Sequence, residues 1–166
     1  YQPGAKFGRT MLGMPYVMFD VPVGAATGIA GFYRQILDTG ATVKPFQGAR
    51  AAHVTVGQQQ RLIFRETKSR QANYDGHHLQ LYVNNFSAPH GKLLERGLIS
   101  EESNQHQYRF RDIVDPDSGK LLYTIEHEIR SMTHPLYARP LVNRNPAQTN
   151  RDFVPGYDNQ PWATPI

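Results

Sequence analysis

Two stretches of this chain, residues 14–68 and 76–134, spell the same order of elements, and a chain built from two copies of one small unit has few folds open to it. In the first copy, YVMFDVPV (16–23) alternates like a strand, and GIAGFYRQILDTG (28–40) carries helical spacing closed by Gly40. Three short β-like runs follow, ATVKPFQG, ARAAHVTVG and QQQRLIFRET, punctuated by Gly48 and Gly57. The second copy opens on the strand HHLQLYV and passes through a shorter helical stretch, PHGKLLERG, to Gly97. It returns as QYRFRDIV and KLLYTIEHEI around DPDSG, whose Asp-Pro and Gly chemistry suits a reversal. A polar linker covers 69–75. Gly57 precedes Glu66 by nine residues and Gly119 precedes Glu128 by nine. Aligning the first strands through Val21 and Val83 then sets Tyr16 opposite His78 and Glu66 opposite Glu128.

Composition removes several classes of function. The chain has 166 residues and no cysteine, so it can bury a core without disulfides and has neither a thiolate metal site nor a cysteine nucleophile. No apolar run approaches the roughly 20 residues that span a bilayer, and YQPGAKFGRT lacks the apolar heart of a signal peptide. The expectation is a cytoplasmic protein with no membrane partner. A net charge of +4 invites a nucleic-acid reading, but thirteen of the eighteen basic residues are arginines scattered from Arg9 to Arg151 without a run or stripe. No nucleic-acid partner is expected. EHEIRSMTHP lacks the paired histidines of a zinc-protease helix, and neither a phosphate loop nor a nucleophile elbow appears.

Paired βαβββ units carrying FYRQIL in one helix, HLQLYV after the linker and DPDSG before a glutamate-bearing strand resemble the vicinal oxygen chelate superfamily, which includes glyoxalase I, bleomycin-resistance proteins and extradiol dioxygenases. The resemblance covers roughly residues 14–132. It implies an α+β fold in which two βαβββ modules form a curved mixed sheet. The concave cleft of that sheet holds a divalent metal or an open ligand pocket. It also implies a homodimer, since module edges in the family often pair between chains.

Strand periodicity then decides which side chains such a cleft receives. In 78–83 the apolar set Leu79, Leu81 and Val83 belongs against the helix, which sends His78, Gln80 and Tyr82 to the cleft. His77 points the other way or sits in the preceding turn, so His78 is the candidate functional histidine. The first strand gives Tyr16, Met18 and Asp20 to the cleft, and the last gives Thr124, Glu126 and Glu128. One imidazole with one or two carboxylates, His78 with Glu126 or Glu128, is a reasonable donor set for Fe(II), Mn(II), Ni(II) or Zn(II). Tyr16 stands where metal-binding members usually carry His or Gln.

Two functions follow. In the first, a metal-dependent lyase, isomerase or dioxygenase holds its ion on His78 and Glu126 or Glu128, with Glu66 and Tyr16 as catalytic candidates and Gln80, Tyr82, Phe64 and Met18 against a small oxygen-chelating substrate. In the second, a non-catalytic protein of the bleomycin-resistance kind sequesters a planar small molecule on Tyr16, Tyr82 and Phe64. Residues 1–13 form an N-terminal extension. Residues 135–166, which hold half of the twelve prolines together with Tyr137, Phe153, Tyr157 and Trp162, read as an extended arm packed on its own domain or on a neighbouring subunit, or as a disordered tail.

Overall fold

The computed structural model describes residues 14–71, 73–134 and 136–137, so the N-terminal extension and nearly all of the C-terminal arm lie outside the described residues. Ten elements run in the order βαβββ–βαβββ. They are β1 (Tyr16–Pro22), α1 (Ala25–Gln35), β2 (Ala41–Phe46), β3 (Ala49–Gly57), β4 (Gln60–Thr67), β5 (His78–Val83), α2 (Ser87–Leu94), β6 (Ile99–Asn104), β7 (Gln107–Val114) and β8 (Leu121–Ser131). They build two four-stranded sheets, β1-β4-β3-β2 and β5-β8-β7-β6. Each first strand pairs parallel with its module's last strand, whereas β2–β3, β3–β4 and β6–β7 are antiparallel. Both sheets are therefore mixed, as the duplicated pattern requires.

Chain contacts divide the described residues into two compact units, one holding those up to Asn73 together with Ile113–Tyr123, the other those from Tyr74 to Asp112 and from Thr124 to Tyr137. The β7–β8 hairpin is shared between them. Within the first unit, Phe64 and its cross-strand neighbour Phe19 stack at 5.4 Å, with the Tyr33 ring of α1 at 5.6 Å from Phe64 and Tyr123 at 6.0 Å. Val21, Ala52, Val54 and Leu62 complete this buried layer.

Helix α1 is apolar on nearly every side because the hairpin tip covers what the sheet leaves open. A Cβ on Gly28 would lie 2.6 Å from Leu122 Cδ1 and 2.8 Å from Asp115 Oδ2, and one on Gly31 would lie 3.2 Å from Pro116 Cγ. The two glycines set that close approach. The tip is rigid in its own right: Asp115 Oδ1 accepts from the backbone of Asp117 and Ser118 and from the Ser118 hydroxyl, and Gly119 takes φ +72°.

Three expectations about these elements change. Helix α1 begins at Ala25 rather than Gly28 and stops at Gln35, with Asp38 at φ +53° turning the chain before Gly40 is reached. Strand β6, ISEESN, is polar after Ile99 and mostly exposed, so no alternation marks it, and it pairs with β7 through two irregularities. The nine-residue count to Glu66 and Glu128 also misleads. Tyr16 pairs with Arg61 and His78 with Glu126, so in structural terms Arg61 stands where Glu126 does and Glu66 falls opposite Ser131. The offset arises at the turns, since the β3–β4 ladder closes directly on Gly57 and Gln60 whereas β7 and β8 are separated by residues 115–120. An odd displacement moves a side chain to the other face of a strand.

Within the second unit the buried layer is Leu93 of α2 with Tyr108, Phe110, Ile125 and Ile129, and His127 stacks on Phe110 at 4.3 Å with an 11° interplanar angle. Gly97 at φ +64° ends α2, as expected from the sequence, with Leu98 N donating to Leu93 O.

Candidate functional site

The opposite face of the β5-β8-β7 strands collects most of the residues that parity nominated. His78 pairs in register with Glu126, Gln80 with Glu128 and Tyr82 with Arg130, so these six line one face while Leu79, Leu81, His127 and Ile129 line the other. The face is not open carboxylate. Arg109 of β7 reaches across to donate from Nη1 to Glu126 Oε1 at 2.7 Å and from Nη2 to Glu128 Oε2 at 2.5 Å. Arg130 forms a second ion pair with Glu128. Its Nε donates to Gln107 Oε1 at 2.8 Å and its Nη1 to the Tyr82 hydroxyl at 3.3 Å. Glu101 stands 3.8 Å from Arg109 Nε at the exposed margin.

The burial of this group decides what it is worth. The Glu128 side chain is 4% exposed and Arg130 12%, against 27% for Arg109. Exposed ion pairs contribute little, but a carboxylate this deeply placed must be paired and hydrogen-bonded to remain charged. Two guanidinium groups against two carboxylates give a balanced cluster, with Arg109 as its bridge.

The remaining candidates fall elsewhere. Glu66 Oε1 accepts from Ala26 N at 3.0 Å at the start of α1, where Gly24 offers no side-chain cap, and a carboxylate there is favoured by the helix dipole. Phe64 is fully buried in the first unit's core, because its parity in β4 matches the helix-facing residues. Tyr16 is 43% exposed, with its ring 5.4 Å from Phe46, and Met18 pairs with Ile63 on the face that also carries the Asp20–Arg65 ion pair. His77 belongs to the turn, where its backbone N–H donates to Asp75 Oδ1 and its ring also meets that carboxylate. The resulting contacts hold the Asp75 carboxyl below its ordinary range.

Arg109, Arg130 and Gln107 are the residues that sequence reasoning passed over. The signal was present: in QYRFRDIV, the buried Tyr108 and Phe110 fix the parity that leaves Gln107 and Arg109 on the carboxylate face.

No protein-family model matches the sequence, and no curated protein matches it significantly. Among solved structures, a glyoxylase/bleomycin resistance protein/dioxygenase domain from Frankia sp. superposes with a TM-score of 0.52 at 15% identity, covering 74% of this chain and 98% of that one. The trypanothione-dependent glyoxalase I of Leishmania major superposes with a TM-score of 0.50 at 14% identity, covering 72% and 86% respectively. The chain has the vicinal oxygen chelate fold. At these identities the likeness speaks to the fold and leaves the chemistry to the residues themselves.

A divalent ion of the kind this fold suggests does not fit those residues. Among the described residues, no three His, Asp or Glu side chains converge as a metal would need. The two carboxylates nearest His78 in register are already neutralised by Arg109 and Arg130, so an arriving dication would have to displace a guanidinium from a mostly buried partner. The positive charge beside Glu126 and Glu128 is supplied by Arg109 and Arg130.

Proposed function

We propose that this chain is a metal-independent small-molecule-binding protein, of the sequestering rather than the metal-catalytic kind, using the β5-β8-β7 face. The observation that supports this reading is the bridge from Arg109 to both Glu126 and Glu128. A metal-dependent lyase or dioxygenase would need those carboxylates free. A neutral, hydrogen-bonding ligand needs only what the face already offers: partly exposed guanidinium and carboxylate edges, the Gln80 amide, and the Tyr82 ring, which lies 5.2 Å from Tyr137. The ligand class is therefore a planar small molecule carrying both a donor and an acceptor, stacked on an aromatic and oriented by a few polar groups.

Salicylamide is a suitable probe. With a chelator present it should shift backbone amide resonances at Gln80, Tyr82 and Arg109, and Gln80→Ala should weaken it several-fold. Binding seen only after Zn(II), Mn(II) or Fe(II) is added would overturn the reading. The homodimer is part of the same proposal. In each sheet the strand order ends on β1 and β2 or on β5 and β6, edges that another chain can cover. Light scattering at micromolar concentration should return twice the chain mass, and a monomer mass would contradict it. No described helix is long and apolar enough to cross a membrane.

A further inference from the structure

Asp75-Gly76 is the one place in the sequence where an Asp or Asn side chain directly precedes glycine. The pair lies in the turn that leads into β5, and both residues are exposed, the Asp75 side chain by 75%. Gly76 takes φ +93°, and a Cβ built there would meet nothing within 4 Å. Its N–H lies outside the helices and strands and makes no hydrogen bond among the described residues.

Such a pair lets the backbone attack the side chain. Glycine has no Cβ to shield its nitrogen or to restrict the rotation that carries it toward the carboxyl carbon. Gly76 N gives up its proton and bonds to Asp75 Cγ, while a Cγ–O bond breaks and one water leaves, closing a five-membered succinimide. Water returned to the Asp75 main-chain carbonyl then breaks its bond to Gly76 N and leaves isoaspartate, whereas water returned to Cγ restores aspartate. Nothing is oxidised or reduced. His77 opposes the first step. Its backbone N–H donates to Asp75 Oδ1 at 3.1 Å, and its ring nitrogen meets the same oxygen. Both contacts favour the ionised carboxylate, which is a poorer electrophile than the acid that loses water, and both restrain a side chain that must turn for the ring to close.

We propose that Asp75-Gly76 is a modification site, where isoaspartate forms and His77 acts as the latch that slows it. Conversion lengthens the main chain by one atom just ahead of His78, where β5 begins. The parity that sends His78, Gln80 and Tyr82 to one face starts at that residue. The proposal does not rest on the reading of the Arg109 face.

The test ages the full-length chain at physiological pH and temperature and reads the tryptic peptide Gln71–Lys92 by electron-transfer fragmentation, which cleaves isoaspartate at its Cα–Cβ bond. His77→Ala should accumulate isoaspartate at position 75 about tenfold faster than the wild-type chain, the rate equivalent of about 1.4 kcal/mol and close to the worth of one hydrogen bond to a charged group. Asp75→Glu, whose ring would need six members, should accumulate none there, with or without His77. In urea, where the latch is undone, the wild-type chain and His77→Ala should convert at the same rate. No isoaspartate at position 75 in either folded protein, a rate in folded His77→Ala equal to or below that of the wild type, or a difference that persists in urea would each overturn the proposal.

Discussion

Replacing Arg109 by leucine should cost the protein about 3–5 kcal/mol of unfolding free energy, the range found when one partner of a buried ion pair is removed. The reason lies in what remains. Glu128, 4% exposed, would keep Arg130, but Glu126 would lose its 2.7 Å partner, and two like charges on one strand face would lack their bridge. Equilibrium denaturation measures this directly. Adding Glu126→Gln to the Arg109→Leu background should recover part of the loss, because the uncompensated charge is then gone. A single-variant effect within about 0.5 kcal/mol, typical of an exposed pair, would show that the cluster contributes little to the fold.

Acidification should destabilise the protein through His127. Its ring is fully buried, stacked on Phe110, with Nδ1 2.8 Å from the Ile125 carbonyl oxygen, which accepts its proton. Burial pushes its pKa down to about 4, against an ordinary value of 6.5. Above about pH 6.5 the ring is neutral in both folded and unfolded chains and folding is unaffected. As pH falls from there toward about 4 the unfolded chain takes up a proton that the folded chain refuses, so stability declines across that window, by about 3 kcal/mol in all at 1.36 kcal/mol per pH unit. His134 is depressed to about 4 as well, first by burial and then by Arg130 and His106, and adds in the same direction. Denaturation midpoints between pH 4 and 7 should therefore slope upward with pH, and His127→Gln should flatten the slope. An unchanged slope in that variant would assign the acid sensitivity to other groups.

The sequence carries the fold well because its periodicities answer to burial. Leu79, Leu81 and Val83 share a parity that must meet the helix, and the same alternation placed His78, Gln80 and Tyr82 together on the other face, where the structure has them. Glu126 and Glu128 follow for the same reason. What alternation cannot carry is partnership across strands. Arg109 is seventeen residues from Glu126, and only the β7–β8 pairing brings them together. Counting residues from a glycine fails in a related way, because Gly57 closes a tight turn and Gly119 sits inside a longer one, which is how Glu66 moved from a candidate site to the start of α1. Strand β6 was invisible because an edge strand with both faces exposed needs no apolar side.

The central claim, that Arg109 holds the carboxylates a metal would require, is most directly tested by titrating Mn(II) into chelator-treated protein and reading the free-ion paramagnetic resonance signal. The wild-type chain is expected to leave that signal undiminished, while Arg109→Ala, which frees Glu126 beside His78 and takes one of its two guanidinium partners from Glu128, should reduce it. Stoichiometric loss of the free signal with the wild-type chain, abolished by Glu128→Gln, would contradict the account.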